Sequence, residues 1–270
     1  MSFYTSLNGL KNAQTDLGVI AHNIANVETS GFKKGSTQFA DIVAGSAQTD
    51  PRMVKGIGAT VEAITQNFSL GPIEQTGASL DVAITGDGFF ATRSVESGKT
   101  LYTRNGSFGM DENGYITDGG PNRLQIFPTD ANGVPTSNTP VDALVPPLNA
   151  AGSEYVGVVV GKDGLVSASY ADGTVEPVGS IALASFIVPT GLKQVGSSNW
   201  ESTGISGQAN YGSPGTGQYG SLLSGAIERS NVDIAEELVG LITAQRNFQA
   251  NAKAIDTATQ ISQTVINLRT

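Results

Sequence analysis

The chain has 270 residues, of which 39% are apolar and 14% charged, so it is long enough for one large domain or two small ones. Its net charge of −9 argues against nucleic acid as a partner, because phosphate contacts need a basic surface. The absence of cysteine excludes disulfides and thiolate metal sites, and no apolar run approaches the roughly 18 residues that membrane insertion needs.

Proline and charge both separate the two ends of the chain from its middle. All 11 prolines lie between Pro51 and Pro214, which leaves both ends free of this helix breaker. Residues 1–40 carry three basic and two acidic side chains, and residues 231–270 carry three basic and four acidic ones. The middle therefore accounts for the whole negative charge, and we expect the near-neutral ends to lie in protein contacts.

The N-terminal segment has the heptad pattern of a helix that packs along a seam, from about residue 3 to residue 27. Its first seam line consists of Phe3, Leu10, Leu17 and Ile24, and its companion line of Leu7, Gln14 and Ala21. Gly9 and Gly18 weaken this helix by about 1 kcal/mol each, so we expect it to depend on packing rather than on intrinsic propensity.

The C-terminal segment repeats the pattern from about residue 232 to residue 268. Its seam line consists of Ile234, Leu241, Phe248 and Ile255, and its companion line of Leu238, Gln245, Ala252, Thr259 and Ile266. We expect the two helices to pair as an antiparallel coiled coil and to bury a second face against other copies. Ordinary two-helix packing inside one globular domain remains the alternative. The residues predicted to carry assembly are Leu7, Leu10, Leu17, Ile24, Leu238, Leu241, Phe248 and Ile255.

The middle of the chain has the pattern of antiparallel β structure. Its apolar runs alternate with Asx-Gly pairs, which are strong hairpin signals. These pairs are Asn105-Gly106, Asn113-Gly114, Asn132-Gly133, Asp163-Gly164 and Asp172-Gly173. The strand candidates are 80–84, 88–92, 100–104, 155–160, 165–170 and 180–187, and residues 204–220 are expected to form a glycine-rich loop.

These patterns predict an α+β fold, in which long N- and C-terminal helices pair as a coiled coil and a mainly antiparallel β body is inserted between them. The helical domain is predicted to comprise residues 1–27 and 231–270. Residues 28–70 are expected to form an extended bridging segment, and residues 71–230 the β-rich body. Within the body, residues 131–153 are expected to form a polar connection.

None of the short motifs predicts a catalytic, cofactor-binding or metal-binding residue. His22, the only histidine, lies on the first predicted helix with no carboxylate pair near it in the sequence. Residues 215–220 match Gly-x-Gly-x-x-Gly, but the βαβ context that dinucleotide binding requires is missing. Residues 111–114 resemble the start of a calcium loop and lack the rest of its ligand pattern.

Two other classes of function are left open by the residues alone. A glycan hydrolase would need two carboxylates that converge in a cleft, for which Asp81, Asp87 and Asp111 are candidates. A secreted, adhesin-like binding module would combine a β domain with a helical stalk. The first would be an enzyme and the second would not.

The segment 22–34 combines the end of the first helix with a turn and a basic pair. Gly31 permits a left-handed turn there, and Phe32 can anchor the chain after it. This segment resembles the N-terminal signature of the bacterial flagellar rod and hook protein family. The residues that carry the resemblance are Asn23, Ala25, Asn26, Thr29, Gly31, Phe32 and Lys33. Three further stretches are similar to the same family, at residues 80–90, 102–115 and 230–253.

The resemblance implies a structural subunit of a homopolymeric tube that transmits torque and encloses an export channel, not an enzyme. Its expected partners are further copies of itself, the adjacent rod and hook-filament junction proteins, and the flagellar export apparatus and hook cap during assembly. We expect no cofactor, no nucleic acid and no membrane insertion. The implied location is the flagellar basal body and hook, outside the cell after export without a cleaved signal peptide.

Within the family, the opening residues 1–26 and the stretch Phe39-Ala40-Asp41-Ile42 are most similar to hook subunits. Hook subunits usually carry an extra outer β domain, for which this chain has only residues 131–153 at the corresponding place. That compactness is shared with distal-rod subunits, which are the alternative. We expect hook subunits to slide past one another as the hook bends, whereas rod subunits must not.

Overall fold

Two α-helices flank nineteen strands and a short 3₁₀ helix, Pro189–Gly191, in the part of the chain that the computed structural model describes, residues 2–44 and 55–267. The helices are α1, Ser2–Ala25, and α2, Ile234–Asn267. The first strands are β1 Gly35–Ala44, β2 Lys55–Gln66, β3 Ile73–Gln75, β4 Val82–Thr85, β5 Phe89–Ser94, β6 Thr100–Thr103, β7 Gly109–Met110, β8 Ile116–Thr117, β9 Asn122–Phe127 and β10 Val141–Asp142. The others are β11 Tyr155–Val160, β12 Leu165–Tyr170, β13 Val175–Ile181, β14 Leu183–Ser185, β15 Lys193–Gly196, β16 Asn199–Glu201, β17 Asn210–Gly212, β18 Ser221–Ser224 and β19 Ala226–Glu228.

The chain divides into two compact units. The helical unit comprises residues 1–27, 34–67 and 232–270, and the body unit comprises residues 28–33 and 68–231. Two helices with a mainly antiparallel β body were expected, and this part of the predicted fold class is confirmed. The coiled-coil geometry of the helix pair stays a prediction, although the two helices contact each other.

In the helical unit, α1 and α2 run antiparallel. Asn23 near the end of α1 contacts Glu237 near the start of α2, and Gly9 lies against Asn251 further along. At about 1.5 Å per residue the helices are about 36 Å and about 51 Å long, so α2 continues beyond α1. Asp233 caps the start of α2, because its Oδ1 accepts the N–H of Ala235 at 2.8 Å. Neither described helix is long and apolar enough to cross a membrane.

The helical unit also contains the antiparallel pair β1–β2. The pair has two register shifts, at Gln38/Phe39 and Ile42/Val43, and Asn12 of α1 donates a hydrogen bond to the carbonyl of Ala59 in β2 at 2.8 Å. The segment 28–70, expected to be an extended bridge, thus holds a strand pair that groups with the helices. Residues 45–54 between the two strands lie outside the described residues.

The body unit is built on a sheet of thirteen strands among the described residues, in which all recorded strand pairs are antiparallel. The main path runs in the order β11, β12, β13, β9, β5, β6, β16, β15, and the pairs β4–β18 and β3–β19 lie outside it. Alternate residues of β12 are buried, so one face of that strand packs onto the core. The core includes the fully buried Phe90 and Trp200. Each of the six strand candidates overlaps an observed strand or a pair of strands.

Two stretches that were expected to be irregular are more ordered than predicted. Within 131–153, β10 pairs with β9, and the side chains of Ala143 and Val145 enter the core. Within the glycine-rich stretch 204–220, β17 pairs with β14. The sequence does not reveal these elements, because strands of two or three residues are too short to show periodicity and lie in stretches rich in proline or glycine.

The predicted turn at Asn105-Gly106 has a different role from the other four Asx-Gly pairs. The glycines of those four turns have φ between 78° and 84°, in the left-handed region. Gly106 instead lies against β4, where its carbonyl accepts the N–H of Val82 at 2.9 Å. A Cβ atom at this position would lie 1.6 Å from the carbonyl oxygen of Val82, so only glycine permits this approach.

We expect Gly106→Ala to destabilise the body unit by about 3 kcal/mol, because the backbone must shift to admit the methyl group. Urea unfolding monitored by the fluorescence of the buried Trp200 measures the effect. Gly109→Ala is the matched control, since a Cβ added at Gly109 would meet nothing within 4 Å and its change should stay below about 0.5 kcal/mol. Equal stability of the two variants would contradict the close approach.

Candidate assembly sites

The residues of the N-terminal signature are divided between the two units. Asn23, Ala25 and Asn26 belong to the helical unit, whereas Thr29, Gly31, Phe32 and Lys33 belong to the body unit. Asn23, Gly31, Phe32 and Lys33 are buried, Asn26 and Thr29 are half-buried, and Ala25 is exposed. The signature therefore supplies one polar cluster to each unit.

In the body unit, Lys33 is a fully buried cation. Its Nζ lies 2.5 Å from Oε1 of Glu228, and it donates a second hydrogen bond to the carbonyl of Ser69 at 2.7 Å. The same Oε1 accepts the backbone N–H of Gly71 at 2.8 Å. Glu228 thus ties the segment 28–33 to β19 and to the chain that precedes β3.

Arg104 is a second buried cation beside the same carboxylate. Its Nη1 lies 3.6 Å from Oε2 of Glu228 and donates to the carbonyl of Gly86 at 2.9 Å. Its guanidinium also lies over the ring of Phe89, 5.2 Å from the centroid. Burial lowers the pKa of both Lys33 and Arg104 from their ordinary values, while attraction to Glu228 opposes the shift.

Sequence reasoning did not single out Glu228 or the charge of Arg104. The available signal was a charged residue at the end of a short, otherwise uncharged strand, in a chain where charged residues are sparse. Only the tertiary structure shows that these two residues and Lys33 converge, because they are far apart in the sequence. A buried charge without a partner is costly, so the three side chains depend on one another.

Gly31 explains why the signature contains a glycine. Its φ is +67°, and an added Cβ would lie 2.3 Å from the backbone nitrogen of Asn105. Its own N–H donates to the carbonyl of Glu228 at 2.8 Å, and the following Phe32 is only 3% exposed. The left-handed turn and the buried ring together direct Lys33 to Glu228.

In the helical unit, Asn23 joins three elements. Its side-chain amide exchanges two hydrogen bonds with the backbone of Gly35 in β1, at 2.8 Å and 2.9 Å, and donates to Oε2 of Glu237 in α2 at 3.0 Å. Lys34 lies 2.8 Å from Oε1 of Glu237 and 3.1 Å from Glu236. Partial burial opposes it, but the hydrogen bonds to these two carboxylates raise the pKa of Lys34.

The predicted assembly residues lie at different depths within the helical unit. Half-buried are Leu7, Leu10, Leu17, Ile24, Leu241, Phe248 and Ile255, whereas Leu238 is 46% exposed. The buried residues of α2 are Glu237 and Ala244, seven positions apart. Each of these two residues directly precedes a member of the predicted companion line, Leu238 or Gln245. The buried face of α2 is therefore shifted by one residue from that line, and Leu238 lies outside it.

Two apolar groups on α2 are exposed in the single chain. The first, which we call the α2 stripe, consists of Ile234, Leu238 and Ile242 at intervals of four residues. The second, the α2 tail group, consists of Ile261, Val265 and Ile266, each about as exposed as Val239 beside the stripe. Contiguous exposed apolar side chains of this kind mark interaction surfaces.

The described residues contain no group of three or more His, Cys, Asp and Glu side chains placed to hold a metal ion. His22 is exposed on α1. Of the acidic candidates, Asp81 accepts a hydrogen bond from Thr76, and Oδ1 of Asp111 accepts the backbone N–H of Tyr115 within its own turn. These two carboxylates serve local turns.

Three family models match parts of the chain. Residues 3–33 match a model described as flagella basal body rod protein. Residues 83–168 match one described as flagellar hook protein FlgE/F/G D1 domain, and residues 223–268 match one described as flagellar basal body rod FlgEFG protein C-terminal. The first match includes the whole N-terminal signature.

Curated relatives align over almost the whole chain. The flagellar basal-body rod protein FlgG of Bacillus subtilis is 36% identical over 280 residues, which covers 99% of this chain and 98% of the relative. The flagellar hook protein FlgE of Salmonella typhimurium is 29% identical over 412 residues and is covered completely, as is this chain. A crystal structure of the Helicobacter pylori flagellar hook protein FlgE2 aligns at 14% identity over 70% of this chain and 42% of that one. Its TM-score of 0.23 is too low for a comparison of folds.

We expect Glu228→Gln to lower the free energy of unfolding of the body unit by about 3–5 kcal/mol, because Lys33 and Arg104 lose their buried counter-charge. Urea unfolding monitored by Trp200 fluorescence measures it. The control is Glu112→Gln, which removes an exposed carboxylate and should change stability by less than about 0.5 kcal/mol. A Glu228→Gln variant as stable as the unmodified chain would refute the role of the pair.

We expect Asn23→Asp to lower the stability of the helical unit by about 2 kcal/mol, since it removes a donor and places a carboxylate beside Glu237. Thermal unfolding monitored by circular dichroism at 222 nm reports on this unit, which contains both α1 and α2. Asn247→Asp makes the same chemical change at an exposed position of α2 and should have little effect. Identical melting of the two variants would show that Asn23 does not hold the elements together.

Proposed function

Because this chain belongs to the family of flagellar rod and hook proteins, we propose that it is the hook subunit, which polymerises into a helical tube that transmits torque from motor to filament and encloses an export channel. At the level of the family, the chain is a structural subunit of the hook or the distal rod. The family consists of structural proteins of the flagellum rather than enzymes.

The observation that carries polymerisation is the exposure of apolar side chains on α2. Of its 34 residues only Glu237 and Ala244 are buried in the single chain. Ile242 is 51% exposed and Val239 66%. Burying an aliphatic side chain contributes about 1.5–3 kcal/mol, so further copies that cover the α2 stripe would stabilise an assembly.

The unequal lengths of the two helices also support polymerisation. Gly9 of α1 lies against Asn251 of α2, so the start of α1 falls near residue 258 in an antiparallel pair. The α2 tail group lies beyond that point, with Ile261 60% exposed. Neighbouring copies are the partners that we propose for it.

Hook identity is supported by the opening residues 1–26 and by Phe39-Ala40-Asp41-Ile42. The distal rod is the second candidate, and length favours it. The FlgG rod protein of Bacillus subtilis aligns over 280 residues, whereas the alignment with the FlgE hook protein extends over 412, so that hook protein contains stretches that this chain lacks.

The proposed role implies specific protein partners. In a hook these are other copies of the chain, the adjacent rod and hook-filament junction proteins, and, during assembly, the hook cap and the flagellar export apparatus. The eight seam residues predicted from the sequence and the α2 stripe would carry the contacts between copies. The proposed location is the hook, outside the cell, reached by export without a cleaved signal.

A concentration series of the purified chain, followed by circular dichroism and electron microscopy, tests the proposal. Helical signal that rises as tubes appear supports polymerisation. Curved tubes support the hook, and straight rigid tubes the distal rod. A fully helical monomer whose signal does not change with concentration would refute the tube subunit and favour an adhesin-like binding module.

We expect Ile242→Asp to raise the critical concentration for polymerisation at least about tenfold, because it places an unpaired charge where an apolar side chain would be buried. Sedimentation of polymer at increasing protein concentration measures it. The matched control is Gln249→Asp, an exposed polar position two turns later on α2, which should shift the value less than about threefold. Unchanged assembly of the Ile242→Asp variant would exclude the α2 stripe as a contact.

A further inference from the structure

Two arginines lie side by side on the sheet of the body unit. Arg93 of β5 is the direct register partner of Arg123 of β9. Directly opposed residues of an antiparallel pair share one face, with Cβ atoms about 4.5–5.5 Å apart, and like charges in this position are destabilising. A local cost of this kind is reduced when an anion lies between the two guanidinium groups.

The two side chains line a small open cavity of about 250 Å³. Its lining residues are Arg93, Ser94, Val95, Gly98, Arg123 and Asp142. Asp142 is the one carboxylate of this cavity, so the two arginines leave an excess of one positive charge. The volume is sufficient for the end of an acidic side chain.

Arg123 is held in place by its surroundings. Its guanidinium lies over the ring of Tyr115, 3.6 Å from the centroid, and Nη1 lies 3.3 Å from Oδ2 of Asp142. Asp142 is itself held by Gln125, whose Nε2 donates to Oδ1 at 2.7 Å. The buried Nε of Arg123 has no hydrogen-bond partner among the described residues. That nitrogen is closed to solvent, but the guanidinium belongs to a side chain that is 26% exposed, and its contacts hold it in a fixed orientation at the cavity.

Arg93 is exposed and forms no ion pair with any residue of the described part of the chain. The body unit around it carries eight Lys and Arg against sixteen Asp and Glu, a net charge of −8. Of those cations, Lys33 and Arg104 are buried on Glu228 and cannot offer charge to the surface. The arginine pair is therefore a positive point on an acidic body.

We propose that the Arg93–Arg123 cavity binds a carboxylate side chain from a second copy of this chain. The inference rests on the proposed function, since it requires that copies meet. Acidic bodies repel one another, and a paired guanidinium site opposes that repulsion at one defined position. Charge-assisted bonds from two guanidinium groups also orient the incoming carboxylate, which sets the register between neighbouring copies.

The first test is Arg93→Glu, assayed by the critical concentration for polymerisation. Lys162→Glu is its matched control, because Lys162 is also exposed, belongs to the same unit and forms no ion pair in the described part of the chain. We expect at least a tenfold increase for Arg93→Glu and less than a twofold change for Lys162→Glu. Urea unfolding shows that the monomer is intact if neither variant is less stable than the unmodified chain, and Arg93→Glu is expected to be slightly more stable because it replaces a like-charge pair by an opposite-charge pair.

The second test identifies the partner atom. Polymers of the R93K variant, mixed from isotopically light and heavy copies, are treated with a carbodiimide, which joins an amine to a carboxylate that touches it. Mass spectrometry should find a light–heavy peptide pair that links position 93 to one Asp or Glu. Links within a single copy alone would overturn the proposal.

The remaining outcomes separate this inference from the proposed function. Failure of the unmodified chain to polymerise would refute both. Normal assembly of the Arg93→Glu variant, or equal effects of the two charge reversals, would overturn this inference and leave the tube subunit intact. Sulfate that stabilises the monomer through Arg93, combined with normal assembly of the variant, would show a site for small anions and would likewise overturn it.

Discussion

The buried carboxylate of Glu228 is the interaction on which the body unit depends most. It neutralises Lys33 and lies beside Arg104, two cations that apolar surroundings would otherwise exclude. Glu228 also binds the segment 28–33 at two points: its side chain pairs with Lys33, and its backbone carbonyl accepts the N–H of Gly31, which makes the turn. The segment 28–33, β19 and Arg104 at the end of β6 thereby meet at one carboxylate.

The helical unit uses the same principle with an amide instead of a charge. Asn23 satisfies both polar groups of the Gly35 backbone and also reaches Glu237, so α1, β1 and α2 meet at one side chain. Away from this point Ala13 and Ala244 are the only buried residues of the described helices, and the seam residues are at most half-buried. The polar cluster thus holds the helical unit together at one end, while apolar side chains along α2 remain exposed. Such a surface is suited to burial against other copies.

Sparse charge is consistent with a subunit of a polymer, but the body remains acidic. When copies assemble, their acidic bodies repel one another. Assembly therefore requires attractive contacts that offset this repulsion. Two features of the chain are suited to this. The exposed apolar groups of α2 supply apolar surface to bury between copies. The proposed Arg93–Arg123 site supplies electrostatic attraction to a carboxylate at one defined position.

The family, the two terminal helices and the mainly antiparallel body followed from the sequence, because heptad spacing, Asx-Gly turns and the signature around Gly31 are local patterns. The short strands β10 and β17 did not, since two or three residues carry no period. The partners of Lys33, the rotation of α2 that exposes Leu238 and the opposition of Arg93 to Arg123 were decided by tertiary structure alone. Each depends on register or on contacts between residues distant in the chain, and one residue of register moves a side chain to the other face.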